Sequence, residues 1–133
     1  MSTVGLTKAM RGALECVRDF GCLPDKADRC GKRLIDAHLA TPINPGEWII
    51  LPRGHAALAA PRMTQAELET LENCEDDLYV TIRMPSGHEW RTLGHLRDAG
   101  FVSPLGFSIT PAGRTALNNV RAAMGSPDWK EGL

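Results

Sequence analysis

The 133-residue chain has no long apolar run, and none of its stretches approaches the ~18 residues that a membrane span requires. Its first ten residues, MSTVGLTKAM, lack the apolar core of a secretory signal. Charge of one sign is also lacking: 15 Lys and Arg stand against 16 Asp and Glu, a formal net charge of −1. With 43% hydrophobic and 23% charged residues, the composition is that of an ordinary globular protein and not of a disordered one. The four cysteines, Cys16, Cys22, Cys30 and Cys74, form no CxxC pair and match no zinc spacing. Free thiols in a reducing cytoplasm are the expectation, with no metal and no cofactor. There is no Gly-rich phosphate loop, no GxSxG elbow and no HExxH. Cys74 and His88 make no recognisable nucleophile pair, and the carboxylates cluster on one helix rather than in acid–base pairs. A non-enzyme is expected.

What the chain does have is an internal repeat. Residues 32–60 align without gaps on residues 91–119, at an offset of 59. Eight of 29 positions are identical, among them Leu34/Leu93, Pro45/Pro104, Ile50/Ile109, Pro52/Pro111, Gly54/Gly113 and Leu58/Leu117. Composition alone gives roughly two. Residues 6–17 align on 63–74 at an offset of 57, matching Thr7/Thr64, Ala9/Ala66, Leu14/Leu71 and Glu15/Glu72. The chain therefore reads as two copies, residues 1–61 and 62–125, followed by a loosely held tail, 126–133.

Each copy opens with an amphipathic helix. In the first, Ala9, Met10, Ala13, Leu14, Val17 and Phe20 recur at helical steps before Gly21. In the second, Thr64 and Glu67 form a capping box. Second helices are expected from about Asp25 to Ala40 and from Ser86 to about Ala99. Between the helices of copy two, LYVTIRMP (78–85) reads as a strand, with a short distorted helix as the alternative. A hairpin follows in each copy, turning at Asn44-Pro45-Gly46 and at Ser103-Pro104-Leu105-Gly106. Last helices start at Pro52 and Pro111, since proline suits the first helical position.

Helix, helix, short hairpin, helix is the order of a winged-helix domain. TLGHLRDAGFVSPLGFSITPAGRTAL resembles the end of many winged-helix proteins, and LIDAHLATPINPGEWIILPRGHAAL looks like a worn version of it. The resemblance implies an α+β, helix-dominated fold of two tandem winged-helix-like repeats, each with a short β-hairpin wing. Copies of about 60 residues are marginal alone. They are therefore expected to pack their first helices together as one compact unit. It also implies that the second helix of each copy enters a major groove. Helical projection puts Ala27, Cys30, Leu34 and Ala37 inward in copy one, and Trp90, Leu93, Leu96 and Ala99 inward in copy two. Lys26, Arg29, Lys32 and Arg33 then face outward, as do His88, Arg91, Thr92 and His95. These are the candidate contacts to phosphates and base edges of double-stranded DNA.

Two considerations pull the other way. An outward helix face is commonly charged for solubility alone, and neither wing carries Lys or Arg. Residues 1–60 hold 8 basic and 6 acidic groups, whereas residues 61–133 hold 7 and 10. The acid is concentrated at Glu67, Glu69, Glu72, Glu75, Asp76 and Asp77, a candidate surface for a basic protein partner. The leading expectation is a small cytoplasmic, regulatory DNA-binding protein, with association of two chains left open. The alternative is a non-catalytic protein-interaction module, such as a phage or mobile-element protein that blocks a host nucleoprotein complex as anti-CRISPR proteins do.

Overall fold

The computed structural model describes residues 3–75 and 86–131. Asp76, Asp77 and the LYVTIRMP segment lie outside the described residues. The fold is α+β and helix-dominated, with a single antiparallel hairpin among the described residues. The chain divides into two compact units. One, the hairpin unit, comprises Gly5–Pro61 and Asn118–Leu133; the other, the bridge unit, comprises Met1–Val4 and Arg62–Leu117.

In the hairpin unit, α1 (Lys8–Phe20) starts at Thr7, whose hydroxyl accepts the Met10 N–H at 3.1 Å. It stops at Gly21, which takes the left-handed conformation (φ 70°) and donates its N–H to the Val17 carbonyl. This cap relieves the unpaired groups of the last turn. Ala13, Leu14 and Val17 form the buried stripe. The second helix, α2, spans Asp28–Asp36, shorter than the Asp25–Ala40 expected. Its limits are set by two non-glycine residues in the left-handed region, Lys26 (φ 62°) and His38 (φ 59°). Strands β1 (Thr3–Val4) and β4 (Met63–Thr64) belong to the bridge unit; β2 (Ala40–Asn44) and β3 (Glu47–Ile50) make the hairpin. Its register pairs Ala40 with Ile50, Thr41 with Ile49 and Pro42 with Trp48, then shifts before Asn44–Glu47. Helix α3 (Pro52–Ala59) follows with proline at its start. Leu14, Leu34, Leu39, Ala40 and Ala57, each 0% exposed, centre the core, against which Trp48 packs.

In the bridge unit, β1 and β4 pair antiparallel, Thr3 with Thr64 and Val4 with Met63. Helix α4 (Gln65–Asn73) carries the capping box, Thr64 and Glu67 each satisfying the other's backbone N–H. Helix α5 (Gly87–Asp98) begins with the Ser86–Glu89 box. It packs on α4. Leu68, Leu71, Cys74, Leu93, Leu96, Val102 and Leu117 are buried. Helix α6 (Pro111–Ala123) starts at Thr110, whose hydroxyl accepts the Gly113 N–H (3.0 Å) and donates to the Gly100 carbonyl (2.7 Å).

One expectation is corrected. The second hairpin reduces, among the described residues, to one bridge between Val102 and Ile109. Gly106 and Phe107 are both left-handed (φ 81° and 54°) and the Ser103 hydroxyl captures the Leu105 N–H, so no second rung forms. Each of the two compact units has buried apolar residues of its own.

A local construction nevertheless occurs twice. The Leu39 N–H returns to the Leu34 carbonyl, and the Phe101 N–H to the Leu96 carbonyl, both at 2.9 Å. The Leu39 carbonyl then accepts from Leu51 (2.9 Å), and the Phe101 carbonyl from Thr110 (3.0 Å). Gly54 sits beneath the first carbonyl with Ile50 alongside; Gly113 sits beneath the second with Ile109 alongside. Glycines and isoleucines keep the offset of 59, but the helix ends correspond at 62, because the intervening loop is three residues shorter in the second occurrence.

Candidate nucleic-acid interface

The candidate DNA-facing residues fall into two groups. In the hairpin unit, Arg29, Lys32 and Arg33 are exposed on α2. Their spacing of three and four residues places them on one side of the helix. None of the three side chains makes a hydrogen bond or ion pair among the described residues. Lys26 is exposed as well, but it stands in the left-handed turn before α2 and so is not part of the helix face. Asp28 and Asp36, exposed at the two ends of α2, temper the positive field. Arg18 is engaged by Asp19 at 2.9 Å.

In the bridge unit, His88, Arg91 and His95 are exposed on α5. The Thr92 hydroxyl is half-buried and donates to the His88 carbonyl at 3.0 Å, so it is spent on its own helix. The helix-end correspondence changes the pairing read from the gapless alignment. Arg29 matches Arg91, Arg33 matches His95, and Lys32 matches Gly94. Trp90, expected inward, is 42% exposed and meets Phe107 edge-on with ring centroids 5.7 Å apart. It occupies the position of exposed Asp28 in the other unit. Ala99 is exposed too, whereas Leu93 and Leu96 are fully buried as expected.

The acidic candidates are more occupied than their charge suggests. Glu67 closes the capping box, and Glu69 accepts from Gln65 at 3.0 Å. Glu72 and Glu75 are exposed on or just after α4, each with an interaction partner. The hairpin, which has no cation, exposes Ile43 and Ile49. Cys74 is buried, and burial pushes its thiol up to about 11, the behaviour of an inert core thiol. Cys16 and Cys30 are half-buried and Cys22 is exposed. Among the described residues, no three His, Cys, Asp or Glu are grouped to hold a metal ion, and no helix is long and apolar enough to cross a membrane.

The residues following α6 hold a feature that periodicity does not announce. Residues 126–131, read above as a loose tail, are tied to the hairpin unit. The Asn118 amide donates to the Lys130 carbonyl (3.0 Å), and its oxygen accepts the Lys130 N–H (2.8 Å). Arg53 donates to the Ser126 carbonyl (2.9 Å) and stacks 4.9 Å from the Trp129 ring centroid. Arg53 is thereby withdrawn from any phosphate role. The one sequence signal is the pair Asn118-Asn119 lying between Leu117 and Val120 on a helix face where apolar residues would be expected.

No protein-family model, no curated protein and no solved structure matches the chain. The fold and exposed faces define a small, mostly helical chain with one antiparallel hairpin among the described residues, loosely compatible with a helix-turn-helix-like interaction module.

Proposed function

We propose that the chain is a non-catalytic, regulatory double-stranded DNA-binding protein that uses α2 for affinity and α5 for an auxiliary contact. The observation that carries this reading is the unspent cationic face of Arg29, Lys32 and Arg33, repeated in part by Arg91 and His95 at matching helix positions. Charges left without a partner inside the chain are free to neutralise phosphates, and an arginine on a groove-facing helix suits the guanine edge. The winged-helix-like character of each copy belongs to this reading.

Fluorescence anisotropy with a mixed-sequence duplex at stepped salt tests it. Binding should weaken steeply with salt. Replacing Arg29, Lys32 and Arg33 together by Ala should flatten the log–log salt slope by about 2–3. Absence of duplex binding at low salt sinks the proposal. The second reading, a protein-interaction module of the inhibitor kind, is favoured by Ile43 and Ile49, exposed at 51% and 43% on a cation-free hairpin. It predicts a co-purifying protein lost on Ile43→Lys but retained by the α2 triple variant.

A further inference from the structure

Asn118 and Asn119 are neighbours with opposite circumstances. Both are over nine-tenths buried, at 5% and 8% exposure. Asn118 spends both ends of its amide on the Lys130 backbone. The Asn119 side chain has no hydrogen-bond partner among the described residues. Its amide is nevertheless not sealed from water, so an amide without a partner inside the chain stays reachable from outside the core.

Asn119 lines an open pocket of about 300 Å³ in the hairpin unit. That is the lower end of the range for small-molecule sites. Pro52, Ala56 and Ala59 give the pocket an apolar wall, and Trp129 contributes an aromatic one. The indole Nε1 of Trp129 is buried and also has no acceptor. His55 and Lys130 supply the polar rim, and among the described residues no carboxylate lines the pocket. Glu131 and Arg53 line the neighbouring cavity on His38, where Arg53 is held over Trp129.

We infer that this pocket binds a small organic acid with a flat apolar body. The body lies between the alanine–proline wall and Trp129, the carboxylate meets Lys130 and His55, and Asn119 donates its amide to the acid. The Asn119 amide, which lines the pocket and has no partner among the described residues, is the donor that such an acceptor would engage. The inference is independent of DNA binding, since none of the α2 or α5 candidates lines the pocket.

The test is a titration with sodium phenylacetate followed by the indole and side-chain amide resonances of the ¹⁵N-labelled chain, assigned with Trp129→Phe and Asn119→Ala. Phenylacetate should shift the Trp129 indole and Asn119 amide signals saturably in the millimolar range or tighter. Benzylamine, of the same shape and opposite charge, should not. Asn119→Ala should weaken binding by about tenfold while leaving the fold intact, and Lys130→Gln should weaken it with the Asn119 signals still present to report. The inference is overturned by unsaturable shifts, by equal shifts with benzylamine, or by unchanged affinity in Asn119→Ala.

Discussion

The hairpin unit and the bridge unit build the same helix end by different means. In both, a helix closes with a backbone return to a buried leucine, Leu34 or Leu96, and a carbonyl rests on a glycine. The hairpin unit adds a strand ladder from Ala40–Ile50 to Asn44–Glu47; the bridge unit has only Val102–Ile109. What the two share is the glycine, its preceding isoleucine and the leucine carbonyl, so these are the parts the construction needs, and the ladder is an addition. The surfaces diverge further. Where α2 presents Arg29, Lys32 and Arg33, α5 presents Arg91, Gly94 and His95.

The largest effect is expected from one added carbon at the glycine that both helix ends share. A Cβ at Gly54 would collide with the Leu39 carbonyl and lie 2.6 Å from Ile50 Cγ1. At Gly113 it would collide with the Phe101 carbonyl and lie 2.9 Å from Ile109 Cγ1. Backbone on one side and a packed isoleucine on the other leave no cheap escape. Gly54→Ala and Gly113→Ala should each cost about 3 kcal/mol or more, or abolish folding, as read by urea denaturation. If only one of the two is damaging, the construction is not shared.

Next in size are the asparagines of the hairpin unit. Asn118→Ala strands the Lys130 N–H and carbonyl and should cost about 1–3 kcal/mol. Asn119→Ala breaks no bond, so it should change stability by less than about 1 kcal/mol. Parallel urea curves decide this, and equal losses would show that Asn119 has a partner.

A titration separates the first helices. Val17 and Cys74 hold matching positions on α1 and at the end of α4, 3% and 1% exposed. Burial raises the Cys74 thiol from its ordinary value of about 9 to about 11. The folded state then holds the proton more tightly than the unfolded state. This contribution to stability is complete below pH 9 and is lost as pH rises towards 11. Cys74→Val, borrowing the hairpin unit's residue, should be within about 1.5 kcal/mol of the parent at pH 7. Its urea midpoint should fall less between pH 9 and 11, and an identical alkaline fall would show that the thiol is not the cause.

The parts legible in the sequence were those carried by local chemistry. Thr64 and Glu67 form the capping box that their spacing implies, Leu14 and Leu71 are buried, and Pro52 and Pro111 open helices. The illegible parts depended on backbone choices that side-chain patterns do not encode. Lys26, His38 and Phe107 adopt positive φ without being glycine, which shortens α2 and dissolves the second hairpin. The three-residue shortening fell in a loop with few identities to locate it, so a gapless alignment matched Leu34 to Leu93 instead of Leu96. The exposure of Arg29, Lys32 and Arg33 followed from helical phase, but the Asn119 pocket needed residues from α3, α6 and the chain end brought together. No single segment's periodicity contains that information.

The mildest change concerns α5. Gly94 stands in α5 where Lys32 stands in α2, and nothing lies within 4 Å of a Cβ placed there. Glycine in a helix interior is less favourable than an ordinary helix former by roughly 0.5–1 kcal/mol. Gly94→Lys should therefore stabilise the fold by about 0.5 kcal/mol, whatever the protein binds, and Gly94→Ala should do the same without adding charge. The pair isolates the electrostatic consequence. If α5 contacts duplex phosphate as α2 is proposed to, Gly94→Lys should bind tighter than Gly94→Ala and steepen the salt slope by about 0.9, one further phosphate neutralised. Equal affinities and slopes for Lys and Ala would mean that α5 does not reach the backbone, leaving α2 as the sole cationic contact and the two units different in function as well as in surface.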